Sequence, residues 1–239
     1  GIKIFHHSFG LGGPNAHEDA LVYFAGVNAF VARYSDTFTR VSRWRDLETL
    51  IRSPKIGVIP GLQNSEHFRT PEDVKLFYAL GQRVSMVTYN SQNNLGCGST
   101  ERRDCGISDF GAAIIQQMNE VGMLVDVSHC GDMTTLDAFE LSKKPVAITH
   151  SNCRALVNHP RCKTDEAIRK MAASGGVMGI TGVRMFVRSE EPTTIEHIVD
   201  HLKGQTQGLA ITGQGLPDRR IGLRHRRAHA HAAFEQGAG

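Results

Sequence analysis

Two short stretches of the chain, Met123-Leu-Val-Asp-Val-Ser-His129 and Pro145-Val-Ala-Ile-Thr-His150, decide the fold. Each is an apolar run that ends in a histidine, and residues 132–143 between them have the pattern of an amphipathic helix. Such a strand–helix–strand unit brings the carboxyl ends of two parallel strands to one edge, where barrel enzymes build their active sites. Imidazole is also the commonest metal ligand among side chains. The two histidines are therefore predicted to share one site, with ordinary polar residues at strand ends as the alternative.

The same alternation extends along most of the chain, at about thirty residues per unit, which predicts a parallel sheet with right-handed crossovers. Further strands are predicted at 1–6, 55–60, 83–88 and 177–181, and further helices at 16–34, 42–53, 70–81, 109–121, 165–174 and 193–202. Six strands are two short of a closed barrel, so the predicted fold class is α/β, an incomplete (β/α)8 TIM-like barrel. A doubly wound open sheet is the alternative, but Phe9-Gly-Leu-Gly-Gly13 lacks the usual G-x-G-x-x-G spacing.

Local signals set several helix boundaries. Thr70 is predicted to cap a helix that has Pro71 at its first position and ends at Gly81. Asp109 is predicted to cap the helix that follows a long polar loop, Tyr89–Ser108. Loops of that length usually have a function, and covering an active site is one such function.

Charge separates the chain into two parts. The net charge is +3 over 239 residues, but residues 203–239 hold six Lys/Arg against two acids, which leaves residues 1–202 at −1. We therefore predict one domain, a partial metal-dependent hydrolase barrel at 1–202, and a basic Gly/Arg/His-rich tail at 203–239 outside the fold, an out-of-register or artificial end. The body is not expected to bind nucleic acid. The tail histidines 225, 229 and 231 are expected to bind metal only adventitiously.

Composition narrows the cellular setting. No stretch approaches the ~18 apolar residues of a membrane span, and no signal peptide is recognised. Five cysteines, an odd number without a Cys-x-x-Cys pair, fit a reducing compartment and a cytoplasmic location. Cys130 and Cys153 follow the two histidines closely, so thiolate ligation is an alternative to small buried thiols. Gly1 stands inside an apolar run, which suggests that the chain begins within a domain.

Several polar side chains are predicted to surround the two histidines at the barrel mouth. They follow the strand ends and comprise His129, His150, Gln63, Asn64, Tyr89, Asn90, Arg154 and Arg161. Two imidazoles with amide or carboxylate oxygens suit a divalent metal, above all zinc. An arginine can grip a substrate carboxylate with two parallel hydrogen bonds. Together these features predict hydrolysis of a small anionic amide or ester. Asp126 either orients His129 or forms an ion pair in the barrel interior.

Several motifs in order resemble the membrane (renal) dipeptidase family, zinc peptidases on an amidohydrolase-like barrel. They are Gly106-Ile-Ser-Asp-Phe-Gly111, the stretch from Met118 to His129, Lys144-Pro-Val-Ala-Ile-Thr-His-Ser-Asn152, and Asn158-His-Pro-Arg161 followed by Thr164-Asp-Glu166. The similarity runs from about residue 55 to 202, and more loosely back to residue 1.

The resemblance implies roles for individual residues. His129 and His150 match the two histidine ligands of the family's second metal, and Arg161 matches the arginine that holds the substrate carboxylate. Tyr89, expected with Asn90 to bind substrate, falls where the family often has a histidine that steadies the tetrahedral intermediate. Gln63 falls where the family usually has a glutamate that bridges two zinc ions. A bacterial branch of the family shares the Gly-x-Gln-Asn and Thr-Tyr-Asn pattern.

Departures from the family limit the expected activity. Gln63 lacks the negative charge that holds two dications together, so one zinc ion is expected more readily than two. The family's N-terminal His-x-Asp pair has no match, which implies that residues 1–6 form the second barrel strand. Its catalytic aspartate is expected just beyond residue 202, where Asp218 is a poor substitute, so no catalytic residue is assigned.

The function expected from sequence is thus a metal-dependent dipeptidase-like hydrolase, impaired in this chain, that acts on a small dipeptide-like substrate. A related hydrolase of lactones, phosphoesters or other amides is one alternative. A non-catalytic ligand-binding homologue is another. A homodimer is possible.

Overall fold

The computed structural model describes residues 2–210, with side chains described as far as Gln205. Its centre is a parallel sheet whose main path runs β1-β3-β4-β5-β6-β7, and β2 pairs with the start of β3. The strands are β1 Ile4–Phe9, β2 Phe38–Arg40, β3 Ile56–Leu62, β4 Val84–Met86, β5 Leu124–Asp126, β6 Val146–Ser151 and β7 Met178–Ile180. The six predicted strands are present, while three-residue β2 is too short for a sequence pattern to reveal.

The order of the strands distinguishes the two predicted architectures. A doubly wound sheet reverses its strand order at a switch point, whereas a barrel adds strands in chain order. Here the main path follows chain order without reversal. The prediction of an incomplete (β/α)8 barrel is confirmed: the described residues form a parallel-strand half-barrel.

Helices alternate with the strands. They are α1 Ala16–Arg33, α2 Trp44–Ile51, α3 Asp73–Leu80, α4 Asp109–Val121, α5 Asp132–Leu141, α6 Asp165–Ala173, α7 Arg184–Val187 and α8 Ile195–Ala210. The inner face of α4, with Ile114, Ile115 and Met118, is buried in one cluster with Val125 of β5 and with Val127, which follows that strand. Strands buried on both faces explain the continuous apolar runs of the sequence.

Two predicted helix starts are wrong. α4 is capped by Ser108, whose Oγ accepts the backbone N–H of Gly111 at 3.0 Å, and Asp109 is the first helical residue. α3 begins at Asp73, after a turn in which the Thr70 carbonyl accepts the N–H of Asp73. The predicted end of α3 is confirmed, because Gly81 adopts a left-handed φ of 116° that favours glycine.

The last helix is longer than predicted. α8 continues to Ala210, eight residues beyond the expected end at Leu202. Its first half is tied to the barrel through buried His201, whose Nε2 lies 3.0 Å from the carbonyl oxygen of Val187. The remainder of the predicted basic tail, residues 211–239, lies outside the described residues. Within the described part of the chain, none of the helices is both long and apolar enough to cross a membrane.

Acid is expected to destabilise the fold through His67, in the loop between β3 and α3. This ring is buried, with its Nε2 3.0 Å from Gln82 Oε1, and burial lowers its pKa to about 3. In the unfolded chain the His67 ring takes up a proton near pH 6.5, whereas in the folded chain it stays neutral down to about pH 3. The stability that the neutral, buried ring contributes is therefore fully present above pH 6.5 and is lost as the pH falls toward 3. We expect the free energy of unfolding to fall by about 1.4 kcal/mol per pH unit from this group.

Urea unfolding from pH 7 to pH 4, with a chelator present, measures this dependence. In His67→Leu the free energy of unfolding is expected to change less steeply with pH, by the amount that the uptake of one proton contributes. This difference in slope does not depend on the absolute stability of the variant. Parallel slopes for the two proteins would contradict the assignment.

Candidate functional site

The two histidines meet at the carboxyl end of the sheet. His129 follows β5 by three residues, and His150 lies within β6. Their Nε2 atoms are 2.9 Å apart, and their ring centroids are 4.9 Å apart at an interplanar angle of 64°. Burial is the main cause that lowers the pKa of both rings, and nearby Arg161 adds to it. Both imidazoles are therefore neutral near pH 7, the form that binds metals.

The Nδ1 atom of His129 is bound by Asn90. The Asn90 side-chain oxygen lies 2.6 Å from this nitrogen, and an amide oxygen only accepts hydrogen bonds. The proton therefore lies on Nδ1, which leaves the lone pair of Nε2 directed at His150. Sequence reasoning placed Asn90 near substrate, whereas the structure shows its oxygen orienting a histidine.

Asn90 reaches His129 from an unusual backbone conformation. Its φ is 57°, which is uncommon for a residue other than glycine, although asparagine tolerates it better than most. Its carbonyl accepts the N–H and hydroxyl of Thr100, and Gly98 packs directly against the same peptide. The long polar loop is thus anchored to the barrel, and it fixes the side chain that orients His129.

Tyr89 forms a wall of the site. Its ring stacks on that of His129, with centroids 4.4 Å apart and an interplanar angle of 20°. Gly10, in the loop after β1, lies close to the edge of the Tyr89 ring, since a Cβ added to this glycine would be 3.1 Å from a ring carbon. The side chain is partly exposed, so Tyr89 joins the loop after β1 to the histidine pair and remains accessible to a ligand.

Arg161 lies beside both histidines. Its guanidinium donates to the carbonyl of Ser128, which precedes His129, and more weakly to the carbonyl of His150 at 3.5 Å. The residue is 4% exposed. Burial lowers the pKa of its guanidinium, although arginine stays charged at neutral pH. A cation is therefore held at the strand ends by two backbone carbonyls, with further N–H groups beyond those two.

Gln63 and Arg154 are placed differently. Gln63 follows β3, and its Nε2 donates to Ser8 Oγ on β1 at 3.0 Å. In the described part of the chain it makes no hydrogen bond to either histidine. Arg154 pairs with Asp132 and with the carbonyl of Cys162, so it stabilises the loop after β6.

The interpretation of Asp126 as half of an ion pair in the barrel interior is wrong. No salt bridge to it is found within residues 2–210; instead its fully buried carboxylate accepts hydrogen bonds from Ser128 and Thr149. Thr149 Oγ1 in turn lies 2.9 Å from Nδ1 of His150. The carboxylate therefore lies behind the histidine pair, on the His150 side.

The thiols do not compete for the metal role. Cys130 is buried and burial raises its pKa, while burial raises the pKa of Cys153 to about 11. Both are therefore protonated thiols near pH 7, as the buried-thiol alternative expects. All five cysteines are unpaired.

Two buried groups escaped sequence reasoning. Lys163 is 1% exposed, and its Nζ donates to the Cys130 carbonyl at 2.8 Å and to Thr135 Oγ1 at 2.9 Å. Burial lowers its pKa to about 8. His6 has a buried Nε2 without a hydrogen-bond partner among the described residues, directly over Gly61. A lone lysine carries no spacing signal, and the adjacent histidines His6 and His7 lack the His-x-Asp spacing that would have identified a ligand pair.

The histidine pair fits a metal ion as two of its ligands. Both rings are neutral and their Nε2 atoms converge. Two nitrogens on one tetrahedral zinc lie roughly 3.3 Å apart, given Zn–N bonds of about 2.0–2.1 Å, so the 2.9 Å separation needs only a small adjustment. Within residues 2–210, no cluster of three or more His, Cys, Asp or Glu side chains is arranged to hold a metal. Among the described residues, the two imidazoles are thus a pair of nitrogens that could serve as two of the ligands of a metal.

Comparison with known proteins matches most of the chain. The sequence model described as Membrane dipeptidase (Peptidase family M19) covers residues 7–208. Dipeptidase verJ of Clonostachys rogersoniana is 30% identical over 210 residues, which are 80% of this chain and 54% of the relative. The chain thus spans about half the length of that relative.

Solved structures match the same region. An amidohydrolase from Pseudomonas aeruginosa superposes with a TM-score of 0.77 at 27% identity, covering 87% of this chain and 70% of the other. A metallo peptidase from Rhodobacter sphaeroides, liganded with a phosphinate mimic of the dipeptide L-Ala-D-Ala, superposes with a TM-score of 0.75. At 18% identity, over 85% of this chain and 69% of the other, this second likeness concerns the fold alone.

Proposed function

The chain belongs to the membrane dipeptidase family, peptidase family M19, and on that premise we propose that it is a metal-dependent dipeptidase-like hydrolase. One observation carries the proposal: two neutral imidazoles from neighbouring strands direct their Nε2 atoms at each other from 2.9 Å. Two nitrogen acceptors that face each other repel unless a proton or a cation lies between them. A divalent cation is the occupant that a hydrolase of this family would use.

We propose zinc as the metal, held by His129 and His150. Neutral imidazole suits zinc, and zinc supplies an activated water as the nucleophile for hydrolysis. Gln63 would bring only a neutral amide to the metal, and its Nε2 already donates to Ser8 Oγ. This favours one ion over two.

We propose that the substrate is a dipeptide whose free carboxylate meets Arg161. The buried guanidinium already donates to the carbonyl of Ser128, which precedes His129, and to the carbonyl of His150 itself, so a carboxylate there would lie close to both proposed metal ligands. Tyr89 would wall the pocket beside the scissile bond, since it stacks on His129 and is partly exposed. Asn90 would act through His129, with its side-chain N–H groups available to a substrate carbonyl.

We propose slow turnover for the chain itself. Catalytic zinc centres typically have three protein ligands, and residues 2–210 offer two. The same shortage supports the second candidate function, a ligand-binding homologue without catalysis. Binding and turnover must therefore be measured separately.

The test uses L-Ala-D-Ala, its C-terminal amide and a phosphinate mimic of the dipeptide, with the chain loaded with Zn²⁺ or Co²⁺. We expect the mimic to bind only when metal is present. The carboxylate form should be preferred over the amide by roughly 10- to 150-fold, because a hydrogen-bonded charge pair contributes about 1.5–3 kcal/mol.

Three outcomes separate the candidates. Metal-dependent release of alanine supports the dipeptidase. Binding of the mimic without any release supports the binding homologue. Turnover of a lactone or phosphoester panel, while dipeptides remain intact, would overturn the proposal in favour of another hydrolase.

A further inference from the structure

We propose that Asp126 and Thr149 are positioning residues that fix the ring of His150 through a hydrogen-bonded chain with a bridging hydroxyl. The inference rests on the proposed function, because it assumes that Nε2 of His150 binds the metal. It concerns how this chain prepares that nitrogen. Neither residue is assumed to touch metal or substrate.

The direction of each hydrogen bond follows from the donors available. Asp126 Oδ1 accepts the N–H and hydroxyl of Ser128 at 2.9 and 2.6 Å and the N–H of Thr149 at 3.2 Å. Asp126 Oδ2 lies 2.5 Å from Thr149 Oγ1. A threonine hydroxyl has one proton, which here goes to the carboxylate. Thr149 Oγ1 must then accept from Nδ1 of His150, 2.9 Å away.

This chain determines the tautomer of His150. With the proton on Nδ1, the lone pair of Nε2 points toward His129 and is ready for a cation. A metal-binding histidine usually donates its other N–H to a carboxylate, carbonyl or water, which fixes the ring and raises its basicity. Here the carboxylate acts through a hydroxyl, so the threonine is an obligatory part of the connection.

The carboxylate of Asp126 also helps to fix the backbone of β6 around His150. The regular pairing of β5 with β6 ends at Asp126 and Ala147, and β6 is irregular against β7 between Ile148 and Ser151. His150 therefore lies where the ladder no longer fixes it. Ser128 Oγ, which donates to Asp126, accepts the backbone N–H of His150 at 3.1 Å. Asp126 thus acts on the backbone of His150 through Ser128 and on its ring through Thr149. Near His129 it binds the preceding residue, Ser128, through its backbone N–H and its hydroxyl.

The two histidines consequently depend on different partners. His129 is oriented by the neutral amide of Asn90 from the polar loop, and His150 by Thr149 and Asp126 within the strands. Removing the Thr149 hydroxyl should therefore change His150 and leave the tautomer of His129 unchanged. A merely structural role for Thr149 would not produce that asymmetry.

The test compares Thr149→Val, which keeps the shape but removes the hydroxyl, with Thr149→Ser, which keeps the hydroxyl. Zn²⁺ affinity is measured by competition with a chromophoric chelator. We expect Val to weaken binding by about 10- to 100-fold, the usual range for partners behind a metal ligand, and Ser to restore most of it. Long-range ¹H–¹⁵N spectra of the metal-free chain should show Nδ1–H at His150 in wild type and Ser, and a shift toward Nε2–H in Val.

Thr135→Val is the matched control. It also buries a valine in place of a hydrogen-bonded threonine, on α5, and is expected to lower stability without changing Zn²⁺ affinity. Asp126→Asn is expected to weaken Zn²⁺ binding as Val does. The double variant Asp126→Asn/Thr149→Val should lose no more than the larger single effect, because both changes break one chain.

Two results would overturn the inference: unchanged Zn²⁺ affinity in Thr149→Val with His150 still Nδ1–H, or equal losses for Val and Ser. The proposed function fails separately. If dipeptides are neither bound nor cleaved while the Val and Ser variants differ as expected, the positioning role stands and the dipeptidase assignment does not.

Discussion

Replacing His150 with alanine is expected to weaken Zn²⁺ binding by more than the roughly 100-fold that loss of a partner behind a metal ligand causes. The variant removes one of two converging Nε2 atoms, and the described residues contain no third side chain grouped with the pair to replace it. A single imidazole binds zinc weakly, because most of the affinity comes from simultaneous ligands on one ion. Any metal-dependent hydrolysis should disappear together with the binding.

The measurement needs two controls. All proteins, including the reference, carry alanine at positions 225, 229 and 231, so that the three histidines of the sequence there cannot contribute to the measured affinity. His7→Ala removes a strand histidine that is exposed and paired with Tyr23 instead, and it is expected to bind Zn²⁺ like the reference. His150→Ala with the affinity of the reference would show that the metal lies elsewhere.

Gly98→Ala is expected to damage stability and metal binding together. A Cβ at this position would lie 1.9 Å from the carbonyl oxygen of Asn90, which is backbone and cannot rotate away. Relieving the overlap must move the loop, at a cost of about 1–3 kcal/mol or more. It also moves the Asn90 side chain from Nδ1 of His129, so Zn²⁺ affinity should fall by about 10- to 100-fold.

Gly26→Ala is the matched control for this variant. Gly26 lies inside α1 with open space around its Cβ position, so alanine should raise stability by about 0.5–1 kcal/mol. Urea unfolding and chelator competition measure the two effects. If Gly98→Ala is as stable as wild type and binds Zn²⁺ as tightly, the loop does not orient His129 as described.

Most strands and helices of the barrel could be predicted from the periodicity of apolar residues in the sequence. The runs that end at His129 and His150 are buried on both faces, so their apolar residues follow one another without interruption. The apolar face of α4 repeats at helical spacing, so its position was also predictable. Because consecutive strands are neighbours in a barrel, placing two histidines at consecutive strand ends already implied that they meet.

The hydrogen-bond partners of His129 and His150 could not be predicted from the sequence. Asn90 and Thr149 are separated from each other by 59 positions and by two helices, α4 and α5, and only the folded sheet shows which ring each one contacts. Asp126 and Ser128 look like ordinary strand polar residues until the irregularity of β6 places a backbone N–H beside them. Spacing identifies which face a residue occupies; it does not identify its hydrogen-bond partner.

Helix ends were missed for a related reason. Ser108 and Asp109 are both good capping residues, and the hydroxyl that reaches the Gly111 N–H is decided by backbone angles. α8 passes Leu202 although its sequence becomes more polar there, because buried His201 and Cys153 are hydrogen-bonded at this point and tie the helix to the barrel. Tertiary contact overrides local pattern at such positions.

The central claim is that two imidazoles bind one cation, and anomalous diffraction from a Zn²⁺-loaded crystal at the zinc edge tests it most directly. The account predicts one strong peak about 2.0–2.1 Å from Nε2 of both His129 and His150, with their Nδ1 atoms still bonded to Asn90 and Thr149. A peak that contacts only one of these rings, or metal bound elsewhere while the two Nε2 atoms stay in mutual contact, would contradict it.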